Sequence, residues 1–146
     1  MKSVYIAGPY TAGTEAEEDA NIHNAAVVAF NYYMDGYAVY CPHLQTSYID
    51  KKLNKGEVDY ADWMENDIHW LAKCSIVVFL PDWEESRGAV IEHMVARGLG
   101  KEIVYWGEQI QATLIKTGGE EANANRKYAS LRPGGISPSQ RLPNGQ

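Results

Sequence analysis

Residues 65–106 read ENDIHWLAKCSIVVFLPDWEESRGAVIEHMVARGLGKEIVYW, and the order of apolar periods within them decides the fold. Ser75 to Leu80 is a short continuous apolar run with the length of a buried strand. A helical pattern from Glu57 to Lys73 leads into it, and the turn-forming stretch Pro81 to Glu85 leads out. A second helical pattern spans about Arg87 to Leu99, Gly100 stops it, and Ile103, Val104 and Tyr105 make Glu102 to Trp106 a further strand. Strands alternating with helices imply a parallel sheet.

The N-terminal half repeats the alternation. Ser3 to Ala7 reads as a buried strand stopped by Gly8-Pro9. A helix is expected from Thr14 to about Met34, with Glu15, Glu17, Glu18 and Asp19 favoured by the positive end of its dipole, and Gly36 closes it. Tyr37 to Cys41 is a second strand ended by Pro42, and the polar stretch His43 to Lys55 is expected as a long connection. The predicted architecture is a single flavodoxin-like, doubly wound α/β domain over residues 1–118, with a parallel sheet of about five strands. Ligands of such sheets sit beyond the carboxyl ends of the strands, where loops Gly8 to Gly13, Pro42 to Tyr48 and Pro81 to Gly88 are expected to meet. Residues 119–146 end in RPGGISPSQRLPNGQ, with almost no apolar spacing, and are expected as a loosely ordered tail.

Composition narrows the function classes. Of 146 residues 45% are hydrophobic and 22% charged, the balance of a globular domain, and the formal net charge of -6 offers no field for gripping polymeric nucleic acid. A monomeric nucleotide remains compatible, because one phosphate can be held by backbone N–H groups and a hydroxyl at a helix start. No apolar run is long enough to span a bilayer and no signal-peptide pattern opens the chain, so a cytoplasmic protein without a membrane partner is expected. Cys41 and Cys74 lie beside predicted strands as small hydrophobes, and His23, His43, His69 and His93 match no common zinc spacing, so no metal site is expected.

Two acids stand in revealing places. On a helical wheel Tyr60, Trp63, Met64, Trp70, Leu71 and Cys74 form one apolar face, with Asp62, Glu65, Asn66, His69 and Lys73 opposite, and Asp67 falls in the middle of the apolar face. A carboxylate there costs several kcal/mol unless paired or protonated, which makes it a functional-site candidate; a structural acid that caps a loop or pairs with a buried tyrosine is the alternative. Glu92 lies at the margin of the stripe of Ile91, Val95 and Leu99, in the second turn of a helix whose start faces the ligand crevice. Ser86, six positions earlier, is the expected N-cap; its hydroxyl and the free N–H groups of Arg87 and Gly88 form a candidate phosphate cradle. Gly8 and Gly13 flank a loop in which backbone can approach a ligand closely. The chain carries neither GxGxxG nor the P-loop pattern, and no GxSxG elbow that would make Ser86 a hydrolase nucleophile.

The segments VYIAGPY (4–10), ENDIHWLAKCSIVVFLPDWEESRGAVIEHMVA (65–96) and KEIVYW (101–106) resemble the nucleoside 2-deoxyribosyltransferase superfamily, over roughly residues 2–106. The resemblance implies a flavodoxin-like sheet and a glutamate nucleophile that acts on the N-glycosidic bond of a nucleoside or nucleoside 5'-monophosphate, without a cofactor. Glu92 takes the nucleophile's place, Tyr5 that of the tyrosine that orients it, and Asp67 that of an acid before the third strand. Transferases usually carry an aspartate where Ser86 stands, whereas monophosphate hydrolases carry a serine, so the resemblance favours hydrolysis of a (deoxy)nucleoside 5'-monophosphate. Gln45 in PHLQTSY lies where transferases keep a base-contacting glutamine. The chain departs from the pattern at Thr11, where the hydrolases use a phosphate-binding arginine, and in IEHMVA, where a glycine often follows the glutamate. The resemblance also implies a homodimer or larger homo-oligomer, for which Trp63, Trp70 and Trp106 are candidate interface or core residues. A non-catalytic nucleotide-sensing protein and a glycohydrolase acting on NAD-like dinucleotides are the competing readings.

Overall fold

The computed structural model describes residues 1–107. Its strands, β1 (Ser3–Ala7), β2 (Ala38–Tyr40), β3 (Ile76–Phe79) and β4 (Glu102–Tyr105), form one parallel sheet in the order β2-β1-β3-β4. The flavodoxin-like α/β class expected from the alternation is the one observed, with four strands among the described residues. The expected tail, residues 119–146, lies outside them.

Period-two alternation sets what each face of the sheet touches. Val4, Ile6, Ile76 and Val78 point to the side of helix α1 (Glu15–Met34), where they pack with Ala25, Val28, Ala29, Tyr32 and Trp106. Tyr5, Ala7, Val77 and Phe79 point to the other side, toward Leu71 of α3 (Tyr60–Lys73) and Ala96 of α4 (Arg87–Gly98). Trp106 belongs to the core, just beyond the end of β4, rather than to the strand itself. Both cysteines are buried free thiols. Among the described residues no helix is long and apolar enough to cross a membrane.

Local chemistry fixes where the helices begin. Thr14 caps α1 in a reciprocal capping box with Glu17, and Gly36 leaves the helix at φ +85°. Helix α3 starts at Tyr60, three residues later than its apolar period suggests, because Asp59 caps it and Asn54 Oδ1 accepts from the N–H groups of Gly56 and Val58, folding the preceding residues into a turn. The stretch expected as an irregular connection is partly helical. A short helix, α2 (Pro42–Gln45), opens on a proline, and a π-helical turn over Ile49–Leu53 closes through Asn54 N–H donating to the Ile49 carbonyl at 2.7 Å.

The chain runs from β1 to β2 on one side and crosses to β3 on the other, so the connections that follow β1 and β3 part beyond the carboxyl ends of the paired strands. Gly8 sits at this fork, and its backbone is crowded by a side chain. A Cβ there would stand 2.8 Å from both Cβ and Cδ1 of Leu80. Gly8→Ala is therefore expected to cost about 1–3 kcal/mol, seen as a lower midpoint in urea unfolding. Adding Leu80→Ala should relieve only the part of the penalty due to Cγ and Cδ1, because the Cβ of residue 80 stays at 2.8 Å; a Gly8→Ala protein as stable as the parent would refute the crowding.

Candidate functional site

A crevice of about 500 Å³ opens at that fork. Its floor is the end of β1 (Ile6, Ala7, Gly8), and Asp67, Met64, Trp63 and Tyr60 of α3 form one wall. The start of α4, from Ser86 to Ala89 with Glu92, forms a second wall, and Tyr10, Thr11, His43, Thr46 and Asp50 close the far side.

Glu92 is buried, at 5% exposure, and lies at the centre of the inner face of α4 rather than at its margin. The buried residues of that helix are Ala89, Glu92 and Ala96, one helical stripe in which two small side chains bring the helix close to the sheet and leave the carboxyl directed at it. Leu99, expected in the apolar stripe, is 53% exposed. Tyr5 reaches Glu92 from β1, its hydroxyl donating to Oε1 at 2.5 Å. Burial raises the Glu92 carboxyl to about 8; the Tyr5 hydrogen bond pulls it down and the nearby Asp67 charge pushes it further up. Burial also holds the Tyr5 phenol well above its ordinary value, so it stays a donor.

Asp67 is buried as its place on the wheel suggested, and burial lifts it to about 6 against the opposing hydrogen bond from Asn66. The stripe around it divides. Leu71 and Cys74 enter the core, whereas Trp63 and Met64 line the crevice with Asp67, and Trp70 stacks on Tyr40 with 43% of its surface exposed.

The candidate cradle is present at the crevice rim. Ser86 caps α4, its Oγ accepting from Ala89 N–H at 3.3 Å, which leaves the hydroxyl proton available as a donor. Arg87 carries the guanidinium that lines the crevice, 5.1 Å above the Tyr60 ring. Gly88 also lines the crevice, and a Cβ there would meet Met64 Sδ at 3.5 Å, an ordinary contact, so packing against α3 does not itself require the glycine. Gly8 lines the floor, although its tightest neighbour is Leu80. Gln45 does not reach the crevice lining; its side-chain oxygen accepts from Cys41 N–H at 3.0 Å and closes the start of α2.

Sequence reasoning missed the far wall. His43 is buried, with Nε2 2.8 Å from the Pro9 carbonyl, so that nitrogen is the donor and Nδ1 faces Cys41 Sγ at 4.0 Å. Burial lowers its pKa and keeps the ring neutral. Asp50 accepts from Tyr10 Oη at 3.4 Å and Asn54 Nδ2 at 3.2 Å. The signal for Tyr10, His43 and Asp50 was positional, since each lies in a connection that follows the carboxyl end of a strand. Among the described residues no group of three or more His, Cys, Asp or Glu is placed to hold a metal ion.

A family model described as a domain of unknown function, DUF4406, matches residues 2–105. No curated protein matches the chain.

The raised carboxyls make stability depend on pH. A carboxyl that binds its proton more tightly folded than unfolded stabilises fully below its unfolded pKa and loses that contribution as pH rises through its folded pKa. For Glu92 the window runs from 4.5 to about 8, and for Asp67 from 3.8 to about 6. Urea unfolding is expected to show stability falling from about pH 5 to 8. Glu92→Gln should flatten that slope and exceed the parent by on the order of 3–5 kcal/mol above pH 8. Parallel pH curves for the two proteins would show that Glu92 is not desolvated.

Proposed function

The chain belongs to the DUF4406 family, and we propose that its crevice cleaves or exchanges the N-glycosidic bond of a nucleoside or (deoxy)nucleoside 5'-monophosphate, with hydrolysis of the monophosphate favoured. One observation carries the reading: the buried Glu92 carboxyl held at 2.5 Å by the Tyr5 hydroxyl, in the same crevice as a second buried carboxyl, Asp67. Glycosidic cleavage at a ribose passes through an oxocarbenium-like state, which calls for an anion beneath the anomeric carbon and an acid near the departing base.

In this mechanism the Glu92 carboxylate bonds to the anomeric carbon as the C–N bond breaks. The bonding electrons leave with the base nitrogen, which takes the proton of Asp67. Water then attacks the glycosyl ester, giving its proton to the Asp67 carboxylate and releasing Glu92; a second base in place of water gives exchange. Tyr5 holds the Glu92 rotamer throughout. Between about pH 6 and 8 the two carboxyls together hold one proton. The reactive arrangement has it on Asp67, a minor tautomer of that same protonation state, so it follows the same pH dependence.

The rim supports a singly phosphorylated substrate. Ser86, the N–H groups of Arg87 and Gly88 and the Arg87 guanidinium suit one phosphate at the start of α4. The crevice also carries Asp50, Asp67, Glu85 and Glu92, which work against the charge of a triphosphate. Trp63, Met64 and Tyr60 provide flat or polarizable surface for a base. One observation favours nucleotide sensing without chemistry: Glu92 is buried, and burial raises its carboxyl and so favours the protonated, non-nucleophilic form.

Incubation with ribo- and deoxyribonucleosides, their mono- and triphosphates and NAD, followed by chromatography for free base, tests the reading. Monophosphates are expected to turn over with a bell-shaped kcat/KM profile. Glu92→Gln should lower kcat/KM by on the order of 10³-fold or more and Asp67→Asn by about 10²-fold. Ser86→Ala with Arg87→Ala should raise KM for the monophosphate while leaving the unphosphorylated nucleoside unaffected. Undiminished base release by Glu92→Gln excludes the nucleophile, and thermal stabilisation by a nucleotide with no turnover establishes the sensing alternative.

A further inference from the structure

Asn66, placed by the wheel on the polar face of α3, is half-buried and donates twice. One N–H of its Nδ2 goes to Tyr40 Oη at 2.9 Å and the other to Asp67 Oδ1 at 3.1 Å. The Tyr40 ring in turn stacks on Tyr5, with centroids 5.6 Å apart and planes at 19°, and Tyr5 is the donor to Glu92. A continuous path of contacts thus joins the two carboxyls outside the crevice: Glu92, Tyr5, Tyr40, Asn66, Asp67. On its outer side Tyr40 is backed by Trp70, at 5.1 Å and 16°.

We infer that Asn66 and Tyr40 are positioning residues that tie the crevice carboxyls into one unit and decide which oxygen of Asp67 carries its proton. An amide N–H cannot share a line with a hydroxyl proton. While Asn66 donates to Oδ1, that oxygen is an acceptor and the Asp67 proton belongs on Oδ2. Tyr40 fixes the amide: a phenol oxygen accepting one N–H leaves the other directed at Asp67. The pair therefore turns a carboxyl that would otherwise be symmetric into a directional donor. The catalytic consequence rests on the glycosidic reading above; the placement of the proton does not.

The groups that feel the Asp67 charge are Glu92 from α4, Tyr5 from β1, Tyr40 from β2 and Cys41 just after it, and the crevice's cation, Arg87, lies over the Tyr60 ring. The amide of Asn66 is therefore a principal stabiliser of the Asp67 anion, in keeping with the direction of its effect there.

The test is a titration of the aspartate side-chain carbons by NMR in the full chain, assigned with Asp67→Asn, for the parent, Asn66→Leu, Asn66→Gln and Tyr40→Phe. Tyr40→Phe keeps the ring stack and removes only the hydroxyl, so it keeps the measurement open if Asn66→Leu fails to fold. Asn66→Leu is expected to raise the Asp67 midpoint by about one pH unit. Tyr40→Phe should raise it by a smaller step, and Asn66→Gln, which keeps the donor, should fall between parent and Asn66→Leu. In active protein the acid limb of kcat/KM moves by the same steps. An Asp67 midpoint unchanged in every folded variant overturns the inference, whatever the activity. A shifted midpoint in a protein that releases no base from any substrate upholds the proton placement and instead removes the glycosidic reading.

Discussion

The structure is organised around one costly placement, a glutamate carboxyl buried between a helix and the sheet. A carboxylate taken out of water costs several kcal/mol unless it is paired or protonated. Glu92 meets that demand with a short hydrogen bond from Tyr5 and by holding its proton up to about pH 8. Both devices depend on the fold. Tyr5 reaches the carboxyl because strand alternation sends it to the α3–α4 side of a central strand, and Glu92 faces inward because Ala89 and Ala96 allow α4 to lie close to that side.

The same topology that buries the carboxyl also opens the space above it. Because β1 is flanked by β2 and β3, the loops after β1 and β3 part at the fork, and the crevice forms between them. One side is the capped start of α4, with backbone donors and Arg87; another is α3, with Asp67 beneath Trp63 and Met64. A hydrogen-bond donor set at the rim, two desolvated carboxyls in the walls and aromatic surface beside them are what the proposed anionic, sugar-bearing, ring-containing ligand would need. The raised pKa of Glu92 is not an obstacle to the proposed role as nucleophile when its partner is also a carboxyl. A pair that shares one proton can present an anion and an acid at the same time near neutral pH.

Much of this was legible in the chain. The alternation of short apolar runs with helical periods pointed to the parallel sheet, and Asp67 stood out because an acid in the middle of Trp63, Met64 and Leu71 has no solvent to face. Glu92 was harder to read from periodicity alone. A hydropathy wheel weights Ile91, Val95 and Leu99 above Ala89 and Ala96, yet close helix–sheet packing selects the small residues, so the true inner face is turned toward the glutamate. Asn66 was hidden for a related reason: its amide reads as one more solvent-facing group until Tyr40, 26 positions away, is brought beside it. The wall formed by His43 and Asp50 depends on the short helix and π-helical turn after β2, whose backbone bonds leave little trace in apolar spacing.

The account makes its sharpest claim about a covalent bond. Mixing the protein with a 2'-fluoro nucleoside 5'-monophosphate, whose electronegative substituent slows breakdown of a glycosyl ester, and quenching in acid should leave a sugar-phosphate adduct visible by mass spectrometry. Peptide mapping is predicted to place it on Glu92, and Glu92→Gln should carry none. Release of the base by a protein that forms no adduct, or an adduct on another residue, would contradict the account.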